Sequence, residues 1–487
     1  MPWVKRSGRW PFGEEWLHEA ITHTYLPLLE VLSRLRASGI RGAITVGVTP
    51  VLVEMLRDAE LVRGFDAYLD SRIALAEADV ARFAGGEPQL ERLALASREN
   101  FLEQRERWRH LYYRDIVAAL RDFAQTGEIE ILTGAATHAY LPLLLLDESI
   151  EAQLSTGMEI TADAFGIRPR GVWLPECAYD QRLAPILDRL GLEFFYTDAR
   201  AVRGSGAAPH ASYQISGHKV RFFVRDESTS GQVWDNDLGY PGDQWYREFH
   251  KRDPRSGARY WRVTCKENAL EEKEPYDEAR ARARVQLHAE DFIAKIADRT
   301  GSARPSTYFA LTFDAELFGH WWAEGPEWLQ RTIVSLQHSG VVRFELPSAY
   351  VDRCAPQASF ALPASSWGTG GDHRVWLNGA TAGYWERVHA CERRFSQLDR
   401  SDEKLYAQCA RELLLLQASD WPFHLTGGTA GDFPQQRIDA HFERFTTLTA
   451  AVRRREPAPP ISREAFGADT LFARPSLSAF GRAPQVI

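Results

Sequence analysis

Short runs of β-forming residues alternate with helical patterns along most of the chain, and this alternation restricts the fold more than any other feature. The β-forming runs occupy residues 43–50, 129–133, 170–174, 193–197, 220–224 and 308–313. Apolar residues recur at helical spacing in residues 15–38, 149–165, 181–190 and 277–298. Such alternation predicts an α/β fold with a parallel sheet, either open or closed into a barrel. Ligands of these folds bind at the carboxyl ends of the strands, where the loops converge.

Two helical regions and a tail flank this α/β part. Residues 60–126 are rich in Ala, Leu, Arg and Glu without a strand signal, which predicts a helical insertion. The α/β domain is therefore expected to comprise residues 1–59 and 127–350. The pattern then becomes helical, so residues 351–455 are expected to form a helical C-terminal domain. Residues 456–487 are rich in proline and loosely patterned, as in a surface strap or a disordered tail.

The composition excludes several classes of protein. The net charge of −8 disfavours a nucleic-acid partner, because proteins that bind nucleic acids are rich in Lys and Arg. The five cysteines lie far apart without a C-x-x-C pair, so neither a zinc site nor a disulfide framework is predicted. No apolar run approaches the roughly 18 residues of a membrane span, and the first residues lack the pattern of a signal peptide. We therefore expect a cytoplasmic protein without membrane association.

Acidic side chains follow two of the predicted strands. Glu176 comes just after the run 170–174, and Asp314 comes directly after the run 308–313, with two tryptophans close behind it in FDAELFGHWW. Two carboxyl groups at one edge of a sheet, with aromatic rings around them, favour glycoside chemistry. One carboxylate attacks the anomeric carbon while the other protonates the leaving oxygen. A single strand-end glutamate is more often a salt-bridge partner or a cap, and this structural alternative stays open.

Histidines also lie near these strand ends. His138 follows the run 129–133, and His320 lies in the aromatic segment after Asp314. Each is either a hydrogen-bonded core residue or a ligand-binding residue. Because no H-x-H or H-E-x-x-H pattern surrounds them, neither a metal nor another cofactor is predicted.

Five long motifs carry a family resemblance. WPFGEEW, TGAATHAYLPLL, GVWLPECAY, GYPGDQWYREFHKRDPRSGARYWRVT and FDAELFGHWWAEGPEWL closely resemble glycoside hydrolase family 57, specifically its 1,4-α-glucan branching enzymes. The similarity covers residues 2–448. It implies a (β/α)7 barrel with a helical insertion and a helical C-terminal domain that closes the cleft. It also implies that the chain acts on α-glucan donor and acceptor chains without a cofactor, in glycogen-type metabolism.

The resemblance assigns roles to individual residues. Glu176 looks like the family's nucleophile and Asp314 like its acid/base, in a retaining mechanism that creates α-1,6 branches from α-1,4-linked glucan. The residues expected to bind substrate are His138, Trp245, Asp420, His320 and Trp367, with Trp10 and Trp385 forming the acceptor platform. Rings suit this task, because the C–H face of a sugar stacks on an apolar plane.

Three features depart from the family pattern. Leu377 stands where a second tryptophan is expected, and residues 202–213 look shorter than the family's loop with a tyrosine at its tip, although Tyr213 could serve. In the family, an apolar strand with a His-x-His-Leu-Pro type motif precedes the segment that begins here at Pro2. We therefore expect the barrel to lack its first strand and the natural protein to begin about a dozen residues earlier. We expect the 487-residue form to be weakly active and aggregation-prone.

Five other functions compete with branching. An α-amylase or a 4-α-glucanotransferase of the same family would retain both carboxylates, and the linkage of the product would separate them from a branching enzyme. A glucan-binding protein with impaired catalysis is disfavoured by the presence of Glu176 and Asp314. A metal-dependent deacetylase or mannosidase on a related barrel is disfavoured further, since the expected metal ligands are missing.

Overall fold

The computed structural model describes residues 1–9, 11–205, 207, 210–235, 239–300 and 307–472. Its strands are β1 (Ile44–Gly47), β2 (Ile129–Leu132), β3 (Gly171–Val172), β4 (Phe194–Thr197), β5 (Ser212–Ile215), β6 (Arg221–Val224) and β7 (Ser359–Phe360). They form two sheets, β1-β2 and β3-β4-β6-β5-β7. A parallel bridge between Thr133 and Val172 joins the two sheets, and another between Arg225 and Ala310 extends the second one. The parallel order is therefore β1-β2-β3-β4-β6-Ala310.

The parallel strands are short, and all except β1 are mostly buried. β4 has the sequence FFYT, and all four of its residues are buried between the neighbouring strands and helices. β5 breaks the pattern, since it pairs antiparallel with β6 after a tight turn. The predicted run 308–313 was wrong in extent, because only Ala310 makes a ladder contact. Strands β5 and β7 were not predicted.

Helices surround these strands. Those before the C-terminal region are α1 (Glu14–Ala20), α2 (Leu26–Ala37), α3 (Pro50–Arg57), α4 (Ala59–Phe83), α5 (Pro88–Glu106), α6 (Ile116–Gln125), α7 (Asp147–Phe165), α8 (Leu183–Leu190), α9 (Glu227–Trp234), α10 (Glu278–Thr300), α11 (Gly325–Ser339) and α12 (Pro347–Arg353). A π-helical turn, Ile21–Tyr25, joins α1 to α2. α8 ends at Gly191, whose φ of 72° is the left-handed conformation that glycine adopts without strain.

Helices α4 and α5 form an antiparallel pair that packs against the segment after β6. The phenol of Tyr260 donates a 2.8 Å hydrogen bond to Asp79 of α4, and the ring of Phe83 meets the ring of Tyr260 edge to face. Helix α6, by contrast, contacts α2, α3, α7 and β2 and so belongs to the layer around the strands.

The C-terminal region is helical and shares the largest apolar core with the strands. Its helices are α13 (Ala382–Ser396), α14 (Glu403–Leu416), α15 (Asp420–Gly427), α16 (Phe433–Arg454) and α17 (Ile461–Ala468). The predicted α/β architecture with a helical C-terminal region is confirmed. In the part of the chain that the structure describes, no helix is both long and apolar enough to cross a membrane.

A buried ionic network holds the last described residues against α14 and α16. His441 lies between Glu412, 2.8 Å from its Nδ1, and Arg437, 2.9 Å from its Nε2. Arg444 donates a 2.6 Å hydrogen bond to Asp469, the residue that follows α17. Within the described residues, Glu412, His441 and Asp469 also have the spacing of possible metal ligands. The two guanidinium groups already supply the positive charge there, so the arrangement is that of an ion-pair network.

Candidate active site

A cavity of about 1730 Å³ opens at the carboxyl ends of the parallel strands. Six of the predicted site residues line it: His138, Glu176, Asp314, His320, Trp367 and Asp420. The cavity also extends between β1 and the segment around Ala310, where no described strand lies. The loops after the strands thus converge as expected for an α/β fold.

Glu176 is held in a strained turn directly after β3. It lies in the turn Pro175–Cys177 with a φ of 63°, a left-handed conformation that is unusual for a residue with a side chain. Its Oε2 accepts a 2.7 Å hydrogen bond from the indole Nε1 of Trp367. Burial raises the pKa of Glu176 to about 7, while the bond from Trp367 lowers it and the charge of Asp314 raises it.

Asp314 lies at the start of the turn Ala315–Leu317, four residues beyond the bridge at Ala310. Burial and the neighbouring charge of Glu316 raise the pKa of Asp314 to about 7. The Oε1 of Glu316 accepts a 2.9 Å hydrogen bond from the phenol of Tyr25. A carboxyl group that stays protonated near neutral pH can act as a general acid.

Glu176 and Asp314 therefore form an interacting pair. Both carboxyl groups line the same cavity, and the charge of Asp314 is one of the causes that raise the pKa of Glu176. At intermediate pH one group is ionised and the other protonated, which is the state required for an attack and a proton donation in the same step.

The C-terminal region contributes the opposite wall of the cavity. The Nδ1 of His138 lies 2.8 Å from the hydroxyl oxygen of Ser419 and 3.8 Å from Oε1 of Glu176. A bridge between Ala139 and Ala418 aligns the two loops. Asp420, the residue after Ser419, begins α15, and its Oδ1 lies 3.5 Å from the amino group of Met1. Residues from the start of the chain and from the C-terminal helical region thus meet around Glu176.

Two protein-family models match most of the chain. Residues 1–363 match the model of Glycosyl hydrolase family 57, and residues 383–479 match that of 1,4-alpha-glucan branching enzyme, C-terminal. The chain belongs to glycosyl hydrolase family 57. The resemblance seen in the sequence motifs is confirmed.

Several known proteins are similar to this chain over most of their length. A 1,4-alpha-glucan branching enzyme of Thermococcus kodakarensis is 35% identical over 489 residues, which span 92% of this chain and 72% of the relative. The crystal structure of a branching enzyme of this family from Pyrococcus horikoshii superposes with a TM-score of 0.93 at 34% identity, covering 100% of this chain and 96% of that one. The alpha-amylase AmyC of Thermotoga maritima superposes with a TM-score of 0.88 at 29% identity, covering 99% and 97%.

Two predicted aromatic residues, Trp245 and Trp385, are not among those that line the cavity. The ring of Trp245 lies between the guanidinium groups of Arg262 and Arg280, at 4.1 and 4.3 Å. Trp385 is only 3% exposed, and its Nε1 donates a 2.7 Å hydrogen bond to the carbonyl oxygen of Trp376. Trp10 lies outside the described residues. Direct sugar contacts by these three residues stay predictions.

Other residues that line the cavity are not among the predicted substrate-binding residues. The most informative are Phe423 and His424, which lie three and four residues after Asp420 and therefore share its face of α15. Because Asp420 was already a predicted site residue, this helical spacing could have predicted both residues from the sequence. Trp376 also lines the cavity, 6.3 Å from the ring of Phe423. Trp321 lines the other side with the exposed Trp234, their ring centroids 5.6 Å apart.

Two of the expected departures from the family have structural counterparts. Leu377 is 48% exposed beside Trp376, so a larger ring at this position would have space. Tyr213 lies in β5, where its phenol donates a 3.0 Å hydrogen bond to Gln357 and its ring is buried. The suggestion that Tyr213 serves at the tip of a loop was therefore wrong, because a strand residue packed into the core cannot reach over the cleft.

Proposed function

We propose that the chain is a 1,4-α-glucan branching enzyme, which cleaves α-1,4 linkages and forms α-1,6 linkages. The observation that carries this proposal is the pair of partly buried carboxyl groups, Glu176 and Asp314, at one cavity. The match of residues 383–479 to the C-terminal branching-enzyme family supports the transferase over other activities of the family. No cofactor enters the mechanism.

The reaction proceeds by double displacement. Glu176 attacks C1 of the donor glucan and forms a covalent glycosyl-enzyme, while Asp314 protonates the departing O4. Asp314, now ionised, removes the proton from the O6 hydroxyl of an acceptor glucan as that oxygen attacks C1. The bond to Glu176 breaks, and the product carries a new α-1,6 linkage. Retention requires the two carboxyl groups to lie roughly 5 to 5.5 Å apart.

The surrounding residues bind the two glucan chains. His138 and Asp420 present polar atoms to the donor sugar beside Glu176, while His320 and Trp367 line the same space. Aromatic rings on the two sides of the cavity offer stacking surfaces for the outer sugars. Donor and acceptor are α-glucans, and neither a nucleic acid nor a membrane takes part.

The proposal also includes a (β/α)7 barrel and a cytoplasmic location. The parallel order β1-β2-β3-β4-β6-Ala310 supports the curvature of a (β/α)7 barrel with the site at its carboxyl end. The five cysteines are free, which suits a reducing cytoplasm.

Hydrolysis by an α-amylase is the second candidate. The similarity to the amylase AmyC favours it, because that structure covers nearly the whole chain. The exposed Leu377 also favours it, since a tryptophan there would enlarge the stacking surface for an acceptor. Both candidates use Glu176 and Asp314, and they differ only in whether water or a glucan hydroxyl attacks the intermediate.

Incubation of the full chain with amylose separates these candidates. Proton NMR of the product measures the α-1,6 linkages, and a reducing-end assay measures hydrolysis. We expect α-1,6 linkages to exceed new reducing ends. New reducing ends without α-1,6 linkages would identify an α-amylase. Neither product, with the chain lengths of the amylose redistributed, would identify a 4-α-glucanotransferase, and neither product with unchanged chain lengths would indicate a glucan-binding protein.

A further inference from the structure

Two hydrogen bonds that Trp367 donates to Glu176, and one ring contact, fix the position of its indole. Its backbone N–H donates a 3.0 Å hydrogen bond to the carbonyl oxygen of Glu176, and its Nε1 donates to the carboxylate of the same residue. Its ring meets that of Trp173 edge to face at 5.1 Å. A donor held this firmly fixes the direction of the carboxylate as well as its charge.

Arg200 binds the backbone carbonyl oxygens of Trp367 and of the next residue, Gly368. One guanidinium nitrogen, Nη2, donates a 2.6 Å hydrogen bond to the carbonyl oxygen of Trp367, and Nη1 donates a 2.9 Å hydrogen bond to that of Gly368. The planar fork of an arginine matches two successive carbonyls, whereas a lysine ammonium cannot hold both in one geometry. The side chain of Arg200 also lies against Gly371, whose φ of 78° closes the same loop.

Arg200 is itself fixed at the end of a strand. Asp198 follows β4 and accepts hydrogen bonds from the backbone N–H and the Nε of Arg200, at 3.0 and 2.7 Å. Asp198 is buried and also lies 3.5 Å from the guanidinium of Arg225. The hydrogen bonds therefore run without interruption from β4 through Arg200 and Trp367 to the carboxylate of Glu176.

We propose that Arg200 is a positioning residue of the active site, which orients the carboxylate of Glu176 through Trp367. The proposal rests on the proposed function, because it presupposes that Glu176 is the nucleophile. Arg200 acts through hydrogen bonds and not through its charge. Among the described residues, the titratable groups that face Glu176 are those of Met1, His138, Tyr140, Cys177, Asp314 and Asp420. The guanidinium of Arg225 lies over the ring of Trp367, 5.6 Å from its centroid.

The pH profile of activity tests this coupling. The bond from Trp367 lowers the pKa of Glu176, so loss of the bond raises that pKa and moves the acid limb of kcat/KM to higher pH. We expect Trp367→Phe, which keeps a ring but removes the N–H, to move the limb by about one unit. Arg200→Lys, which keeps the charge, should move it by about half a unit in the same direction. Arg200→Gln is a second variant that removes the charge and should give a similar shift.

A double variant provides the decisive result. If Arg200 acts through Trp367, the variant with both Arg200→Lys and Trp367→Phe shows the shift of Trp367→Phe alone. Additive shifts, or a wild-type acid limb in both Arg200 variants, would overturn the proposal. Arg203→Lys is the matched control, since Arg203 lies three residues further on and pairs with Glu227 at the surface. It should keep the wild-type profile.

A parallel measurement separates this proposal from the proposed function. Glu176→Gln is assayed under the same conditions. If it keeps more than about a tenth of the wild-type rate, Glu176 is not the nucleophile and the proposed function fails together with this proposal. If it is inactive while the Arg200 variants behave as the wild type, only the positioning role is excluded.

Discussion

The phenol of Tyr25 donates a 2.9 Å hydrogen bond to Glu316, two residues beyond Asp314. The π-helical turn at the start of the chain therefore orients an acidic group next to the proposed acid/base. The charge of Glu316 raises the pKa of Asp314, second only to burial. Glu316 should therefore affect the pH dependence of activity, although it takes no part in bond breaking.

Glu316→Gln should narrow the pH range of activity from the alkaline side. Asp314 must be protonated to act as the acid, and removal of the neighbouring charge lowers its pKa from about 7. The alkaline limb of kcat/KM should move down by roughly half to one unit, while the acid limb stays in place. Glutamine keeps the acceptor for Tyr25. Glu327→Gln on the surface of α11 is the control, and an equal shift there would indicate a general charge effect.

Replacing either proposed catalytic carboxyl should nearly abolish activity. Glu176→Gln removes the nucleophile and Asp314→Asn removes the acid, so each should lower the rate by about a thousandfold or more. Rates of amylose conversion and circular dichroism of each variant are the measurements. Glu193→Gln breaks the surface ion pair with Arg170 and serves as the control. Retention of more than about a tenth of the rate would contradict the assignment, since a positioned proton transfer alone contributes roughly a hundredfold.

The sequence predicted the parts of this site that depend on local pattern. β4 is a continuous apolar run, α7 has helical periodicity and ends before Gly166, and the carboxyls of Glu176 and Asp314 follow predicted strands. Strand-end chemistry is local, because each acid is only a few residues from its strand. The short β7 gave no signal, since two residues cannot show an alternation.

The positions of several other residues depend on long-range packing and could not be predicted from the sequence pattern. Asp420 enters the site from a helix of the C-terminal region, and only the family resemblance pointed to it. Trp245 and Trp385 have the same local setting of rings, acids and glycines as the cavity residues. Their positions depend on distant partners, such as the arginines around Trp245. Periodicity contains no information about such partners.

Phe423→Ala should lower branching more than hydrolysis. Phe423 is 46% exposed at the cavity and extends the surface formed with Trp376, which suits a bound glucan acceptor. Water needs no such surface, so the ratio of α-1,6 linkages to reducing ends should fall several-fold. Leu377→Trp should raise the ratio. Leu270→Ala, at an exposed site that does not line the cavity, is the control. Equal loss of both activities in Phe423→Ala would place the ring in the donor site.

Arg444→Met should destabilise the C-terminal region. Arg444 lies 2.6 Å from the buried carboxylate of Asp469, and without it the nearest cationic group that the structure describes is Arg437 at 3.9 Å, so much of the charge of Asp469 is no longer compensated. The expected loss in free energy of unfolding is about 3 to 5 kcal/mol, measured by chemical denaturation. Arg387→Met, which breaks an exposed ion pair with Asp439 between the helices α13 and α16, should cost less than about 1 kcal/mol. Similar losses in the two variants would show that burial of the network contributes no stability.

Gly319→Ala should displace the loop that carries Asp314. Gly319 has a φ of 115°, and a Cβ there would lie 1.7 Å from the carbonyl oxygen of His23. The loop must therefore move away from the turn Ile21–Tyr25, and the left-handed backbone adds strain. We expect a loss of roughly 2 to 4 kcal/mol in unfolding free energy, together with a lower kcat. Gly379→Ala is the matched control, because no atom lies within 4 Å of its added Cβ. A Gly319→Ala variant with the stability and kcat of Gly379→Ala would mean that the close approach to His23 does not constrain the position of Asp314.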